Sequence, residues 1–185
     1  NDFEVLLHIG TLFSIFAVFN NDIKNIFFTL SSKETQRFIL MIFVGTIPAV
    51  IIGLGFKDEI EKLFDNIIVV GFALLFTGIT LISSFYFKSE NKKNTIIKAC
   101  LIGIAQAIAI IPGISRSGIT ISFALLLGLG ARQAAKFSFL LAIPVIIAAS
   151  IFNLYQLTQV EALVFDYLDL LIGIAVSFIV AFLTI

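Results

Sequence analysis

The chain has 185 residues, 59% of them hydrophobic and 13% charged, with a mean hydropathy of +1.11. That balance excludes an ordinary water-soluble domain and predicts an integral membrane protein. Twelve basic and 12 acidic residues cancel to a formal net charge of zero with no polybasic run, so nothing points to nucleic acid or a strongly anionic surface as partner. The single cysteine, Cys100, forms neither an intrachain disulfide nor a metal site by itself, which argues against redox chemistry and reads as a small core residue.

The chain opens at Asn1-Asp2-Phe3-Glu4, without an initiator Met, a basic leader or a small-residue cleavage site, and stops inside the apolar run Phe182-Leu183-Thr184-Ile185. The expectation is an internal fragment of a longer protein, truncated at both ends. A hydrocarbon core of about 30 Å takes roughly 20 apolar residues in helix. Five segments reach or approach that length: 5–19, which is short, 38–54, 67–87, 137–157 and 168–185. Between them, Ile23, Ile26, Phe27 and Leu30 share one helical face, as do Ile60, Leu63 and Phe64, which predicts two amphipathic helices lying in the interface. Pro48 and Pro144 fall inside spans, where they act as kinks.

The apolar region 99–130 differs, because two half-length runs flank Pro112-Gly113-Ile114-Ser115-Arg116-Ser117-Gly118. As helix, 99–111 and 119–130 would each rise only about 18–20 Å. Non-helical backbone at membrane depth is tolerated where it is buried in protein or lines a wet cavity, so 99–130 is expected to form a re-entrant helix–loop–helix. Charge counting agrees. If 99–130 enters and leaves by one face, that side collects Lys24, Lys33, Arg37, Lys88, Lys92, Lys93, Lys98, Arg132 and Lys136 against Lys57 and Lys62 on the other. A full crossing would leave seven against four, so the positive-inside rule favours the hairpin and puts the nine-residue side in the cytoplasm.

Phe3–Gly10 aligns without gaps on Phe137–Pro144, matching at Phe, Leu, Leu and Ile. Under this topology the copies cross in opposite senses, an inverted-topology pair that places a site near mid-membrane. The expected fold is therefore an all-α polytopic helix bundle, one membrane domain over 1–185. The loop corresponding to Arg116 in the first half would fall before Asn1.

Arg116 is the only Arg or Lys within the apolar segments, and a cation at the bilayer centre costs at least ~2.5–3.5 kcal/mol on insertion scales. An anion should compensate. Ser115, Ser117 and Thr120 supply hydroxyls, Gly113 and Gly118 allow close backbone approach, and a half-helix beginning at Ile119 would aim its positive dipole end at the loop. Together they predict an oxyanion cradle with a guanidinium fork suited to phosphate. The alternative is an Arg that only ties the loop to a carboxylate, for which Glu4 is the one candidate near membrane depth. Gln106, nine residues before Ser115, either orients a ligand or the loop, or makes an interhelical hydrogen bond. His8, the only histidine, reads as a packing or interfacial residue. Glu161, Asp166 and Asp169 read as solvated connector charge.

Pro112-Gly113-Ile114-Ser115-Arg116-Ser117-Gly118-Ile119-Thr120 resembles the PGxSRSGAT signature of the undecaprenyl-diphosphate phosphatase (bacitracin-resistance) family. The resemblance extends over essentially the whole chain, through Gln106, Phe137–Pro144, Phe3-Glu4-Val5 and Gly45-Thr46-Ile47-Pro48-Ala49. Ile119 departs from the usual Ala. The family's other motif, an (E/Q)xxxE pair followed by a loop with Ser and His, has no counterpart in these residues. The resemblance implies hydrolysis of a C55 polyprenyl diphosphate to the monophosphate in a bacterial cytoplasmic membrane, recycling the lipid carrier of cell-wall synthesis, with the active site open to the outer face. It implies that Arg116 and Ser115 are catalytic and that Gly113, Ser117, Gly118, Thr120 and Gln106 bind substrate. A divalent cation, Mg or Ca, would be held by carboxylates preceding Asn1, no metal ligand being visible here, and this fragment alone would be inactive. A homodimer is the oligomer considered. The competing class is a polyprenyl-phosphate flippase or other anion transporter, because inverted repeats and broken helices around a charge are also transporter architecture. A phosphatidic-acid-type phosphatase would need histidines after its SR pair, and none follows Arg116.

Overall fold

In hydrocarbon the backbone has no water to bind, so long apolar segments satisfy their N–H and C=O groups internally as helix. The computed structural model describes residues 2–86, 92–157 and 167–185, with side chains at 7–60, 62–86, 92–152 and 168–185. Every regular element among them is helical: α1 Asp2–Val18, α2 Asn20–Phe28, α3 Lys33–Gly55, α4 Lys57–Phe64, α5 Ile67–Ser84, α6 Ile96–Ile108, α7 Arg116–Leu126, α8 Ala131–Leu157 and α9 Tyr167–Thr184. Lys88, Glu161 and Asp166 lie outside the described residues, as does the side chain of Glu4.

Among the described residues three helices are long and apolar enough to cross a membrane: α3, α5 and the Ala131–Phe152 part of α8. Leu7–Val18, Ile96–Ile108, Arg116–Leu126 and Leu168–Thr184 are shorter apolar helices. This is an all-α, multi-pass membrane protein. Pro48 and Pro144 both sit inside continuous helices. Helix α2 buries no residue and Phe27 on its expected apolar side is exposed, while Leu30, expected on the same face, lies beyond the helix end at Phe28.

The chain divides into two compact units, 33–141 and a second made of 1–32 with 142–185. In the second, α1 packs on α9 through small and hydroxyl residues. A Cβ on Gly10 would overlap the Ile174 carbonyl, Thr11 Oγ1 and Ser177 Oγ lie 3.1 Å apart, and Ser14 donates to the Thr11 carbonyl at 2.7 Å. Small residues let two backbones approach where lipid tails provide no hydrophobic drive for association.

The unit 33–141 carries the polar loop. Its α3 and α6 cross at Gly45 and Gly103, where a Cβ on Gly103 would overlap the Gly45 backbone and one on Gly45 would stand 3.0 Å from the Ala99 carbonyl oxygen. Beside the crossing, Met41, Ala99, Ile102, Ala124, Leu129, Ala134, Phe137 and Leu141 form a buried cluster. Phe38 meets Phe137 edge-on, with centroids 6.1 Å apart and an interplanar angle of 81°. The core thus fixes α6, α7 and the start of α8 against α3 and leaves the segment between α6 and α7 to be shaped by other contacts.

Candidate functional site

Two helix boundaries differ from the sequence expectation, and both differences matter to the loop. Helix α6 ends at Ile108, so residues 109–111 already belong to the turn. Helix α7 begins at Arg116 instead of Ile119. The physical reason is Ser115. Its backbone is extended, with φ −72° and ψ 114°, and its Oγ accepts from the Gly118 N–H at 3.2 Å, the N-cap that satisfies one of the orphan donors of a helix start. Arg116 is therefore the first helical residue. The helices rise about 20 Å for α6 and about 17 Å for α7.

The loop sits on one stripe of α5. Gly113 has φ +91°, a conformation that L side chains rarely adopt, and a Cβ there would come within 2.6 Å of the Val70 carbonyl oxygen and 3.0 Å of Ala73 Cβ. Four residues on, Thr77 Oγ1 donates to the Gly113 carbonyl at 3.3 Å and accepts from the Ser115 N–H at 3.1 Å. One turn further, Leu81 lies 3.3 Å from where a Gly118 Cβ would stand. Val70, Ala73, Thr77 and Leu81 share a helical face, and Ala73 and Thr77 are the buried residues of α5. The opposite stripe, Phe72, Leu75, Ile79 and Ile82, is exposed and wholly apolar. Helix α5 thus has an exposed apolar side and a side that seats the loop.

The loop and the helix start use only part of their backbone donors. Ile114 N–H binds the Ile111 carbonyl and Ile119 N–H binds the Ser115 carbonyl; Ser115 N–H goes to Thr77 and Gly118 N–H to Ser115 Oγ. Among the described residues the N–H groups of Gly113, Arg116 and Ser117 have no acceptor, and the Arg116 guanidinium has neither a hydrogen-bond nor an ion-pair partner. Arg116, Ser115 and Ser117 are all half-buried. A cation, two free backbone donors and a positive helix end therefore converge within two residues, which is the donor set that binds an anion. Ser115 Oγ accepts from the helix, so its own proton stays available to donate outward.

The remaining residues expected at the site behave differently. Thr120 is buried; its hydroxyl donates to the Arg116 carbonyl at 2.8 Å and also bonds Ser138 Oγ on α8, itself buried. It fastens the first turn of α7 to α8. Gly118 is buried beneath Ser115 and Leu81. Gln106 is 1% exposed, and neither its Oε1 nor its Nε2 has a hydrogen-bond partner among the described residues, so the structure does not join it to the loop. His8 and Asp169 are exposed and Cys100 is half-buried. Sequence reasoning did not single out Thr77, and it noted Ser138 only within a longer run. The available signal was a hydroxyl residue on an otherwise apolar stripe, and that alone does not say what the hydroxyl touches.

Among the described residues, no group of three His, Cys, Asp or Glu side chains could hold a metal ion. A guanidinium and two serine hydroxyls are donors for an anion and do not fit a divalent cation.

Against known proteins, residues 1–185 match the family described as Bacitracin resistance protein BacA. The chain belongs to this family. Family members similar to it include an undecaprenyl-diphosphatase of Carboxydothermus hydrogenoformans, 42% identical over 163 residues that make up 86% of this chain and 61% of the relative. One of Bacteroides fragilis is 36% identical over 96% of this chain and 69% of its own length. One of Christiangramia forsetii is 45% identical over 78% of this chain and 56% of its own. The chain thus spans between about half and two thirds of the length of these relatives.

Proposed function

We propose that the complete protein is an undecaprenyl-diphosphatase, a phosphoric anhydride hydrolase of the bacterial cytoplasmic membrane that converts undecaprenyl diphosphate and water to undecaprenyl phosphate and inorganic phosphate. The observation that carries this reading is the unpaired Arg116 guanidinium beside the free N–H groups of Arg116 and Ser117, in a chain whose relatives bear that name. A diphosphate headgroup is opposite in sign to this donor set and has acceptor oxygens enough to engage it. The apolar stripe of α5 opposite the loop is of the character a polyprenyl tail needs.

The chemistry follows from where charge accumulates. As the bond from the bridging oxygen to the terminal phosphorus breaks, negative charge grows on the oxygens of the transferring group and on the leaving phosphate monoester. The guanidinium spans two such oxygens in a bidentate fork, and the Arg116 and Ser117 N–H groups add donors already aimed by the helix, so little reorganisation is needed during reaction. Ser115 and Ser117 donate further hydrogen bonds. Gln106, buried without a described partner, is read as a substrate-side residue on that ground. In this reading the loop between α6 and α7 is the tip of a re-entrant hairpin over 99–130, the site is completed by residues outside those described, and resistance to bacitracin follows from turnover of the lipid diphosphate.

The test is phosphate release from purified full-length protein in detergent with a polyprenyl diphosphate as substrate. Hydrolysis needs no second compartment, whereas a flippase or anion carrier would release no phosphate and would move lipid only in sealed vesicles. Absence of release from well-folded wild-type protein would sink the phosphatase reading.

A further inference from the structure

We propose that Thr77 is a positioning residue for the reaction: a single hydroxyl on α5 that sets the aim of Arg116 by gripping the loop on both sides of Ile114. The proposal rests on the functional reading above and names a residue outside the loop that the reading depends on.

Three observations support it. First, the Thr77 hydroxyl uses both of its capacities on the same short stretch of backbone, donating to the Gly113 carbonyl and accepting from the Ser115 N–H. A side chain here does the work a neighbouring strand would do for an extended segment, and it holds the two peptides that flank Ile114, directly before the Ser115 cap with its ψ of 114°. That angle decides where α7 starts and hence where the first helical residue points. Second, Thr77 is buried, at 7% exposure. Removing its hydroxyl would leave one carbonyl and one N–H without partners in a setting poor in water, a cost the loop would relieve by shifting. Third, neighbouring contacts leave the loop no slack on this face. Gly113 is already pressed on Val70 and Ala73, and Gly118 lies within contact reach of Leu81, so the seat is continuous and Thr77 is its polar point.

Thr77 spends its hydroxyl on the loop backbone, so it is not expected to touch substrate. Its effect should reach the chemistry through the position of Ser115 and Arg116, where a displacement near 1 Å can cost about 10²-fold in rate. Thr77→Val keeps the shape and deletes both hydrogen bonds; Thr77→Ser keeps the hydroxyl and deletes a methyl.

The experiment measures kcat and KM for polyprenyl diphosphate per folded molecule in the full-length protein, with amide hydrogen exchange over residues 109–118. Thr77→Val is expected to lower kcat by roughly 10- to 100-fold with a much smaller change in KM and to deprotect the Ser115 amide. Thr77→Ser is expected to restore both. In an Arg116→Lys background the further loss from Thr77→Val should largely vanish, because both substitutions act through the placement of one cation. The proposal is overturned by a Thr77→Val protein with wild-type kcat, by a loss that serine does not rescue, or by full additivity with Arg116→Lys. Should Thr77→Val not fold, the serine variant and its exchange pattern decide: a loss of kcat and of Ser115 protection in that variant would overturn the proposal. An active wild type with an indifferent Thr77→Val variant sinks only the clamp, whereas an inactive wild type sinks the phosphatase reading.

Discussion

Two places in the unit 33–141 bring backbones together through glycine, and they differ in what is left over. At the crossing of α3 and α6, Gly103 and Gly45 lie inside regular helix and remove side chains so that two helices touch. At the loop, Gly113 removes a side chain so that non-helical backbone can rest on α5, and Thr77 and Ser115 satisfy part of it. Among the described residues the N–H groups of Gly113, Arg116 and Ser117 and the Arg116 guanidinium are left without a partner. Close approach therefore serves packing in one place and seats a loop with unused donors in the other.

Substitutions can break that comparison. The largest effect on turnover is expected from Arg116→Ala, which should lower kcat/KM for polyprenyl diphosphate by at least roughly 10²–10³-fold while leaving the melting midpoint near wild type. Arg116→Lys should recover little, because an ammonium cannot form the two-pronged contact; near-normal turnover in both would remove the site from this loop. Gly103→Val should do the reverse. Pushing α3 and α6 apart should destabilise the fold by about 1–3 kcal/mol, measured by thermal unfolding in detergent, with kcat per folded molecule preserved. Gly113→Ala combines backbone strain of about 1–2 kcal/mol with displacement from Val70, so stability and kcat should fall together; loss of only one would separate loop seating from catalysis. Ser115→Ala removes the α7 cap, worth about 1 kcal/mol, and a donor to phosphate, and should show a moderate loss in each measurement. Smallest is Ser138→Ala, which costs α7 one buried hydrogen bond, about 1 kcal/mol, and should leave kcat near wild type if that bond serves only to hold the helix.

Legibility followed the same division. Arg116 stood out because a lone cation in apolar sequence demands a partner, and the hydroxyls and glycines around it could be counted. The sequence pattern puts the start of α7 three residues late, because Gly113 and Gly118 read alike as loop formers while only Gly113 has the left-handed backbone; Gly118 lies inside the helix beneath its cap. Thr120 was grouped with the ligand-facing hydroxyls, and its burial against Ser138 comes from α8, a neighbour 18 residues away that periodicity does not reveal.

By itself the sequence determined that this protein lives in a bilayer, that it is helical, and which loop carries the anion-seeking charge, because hydropathy and the cost of an intramembrane cation are local quantities. Only the tertiary structure decided which donors remain free. Whether a hydroxyl or an N–H is available depends on what stands across from it, and for Ser115 and Gly113 that is Thr77, a residue on another helix that chain order does not place beside them.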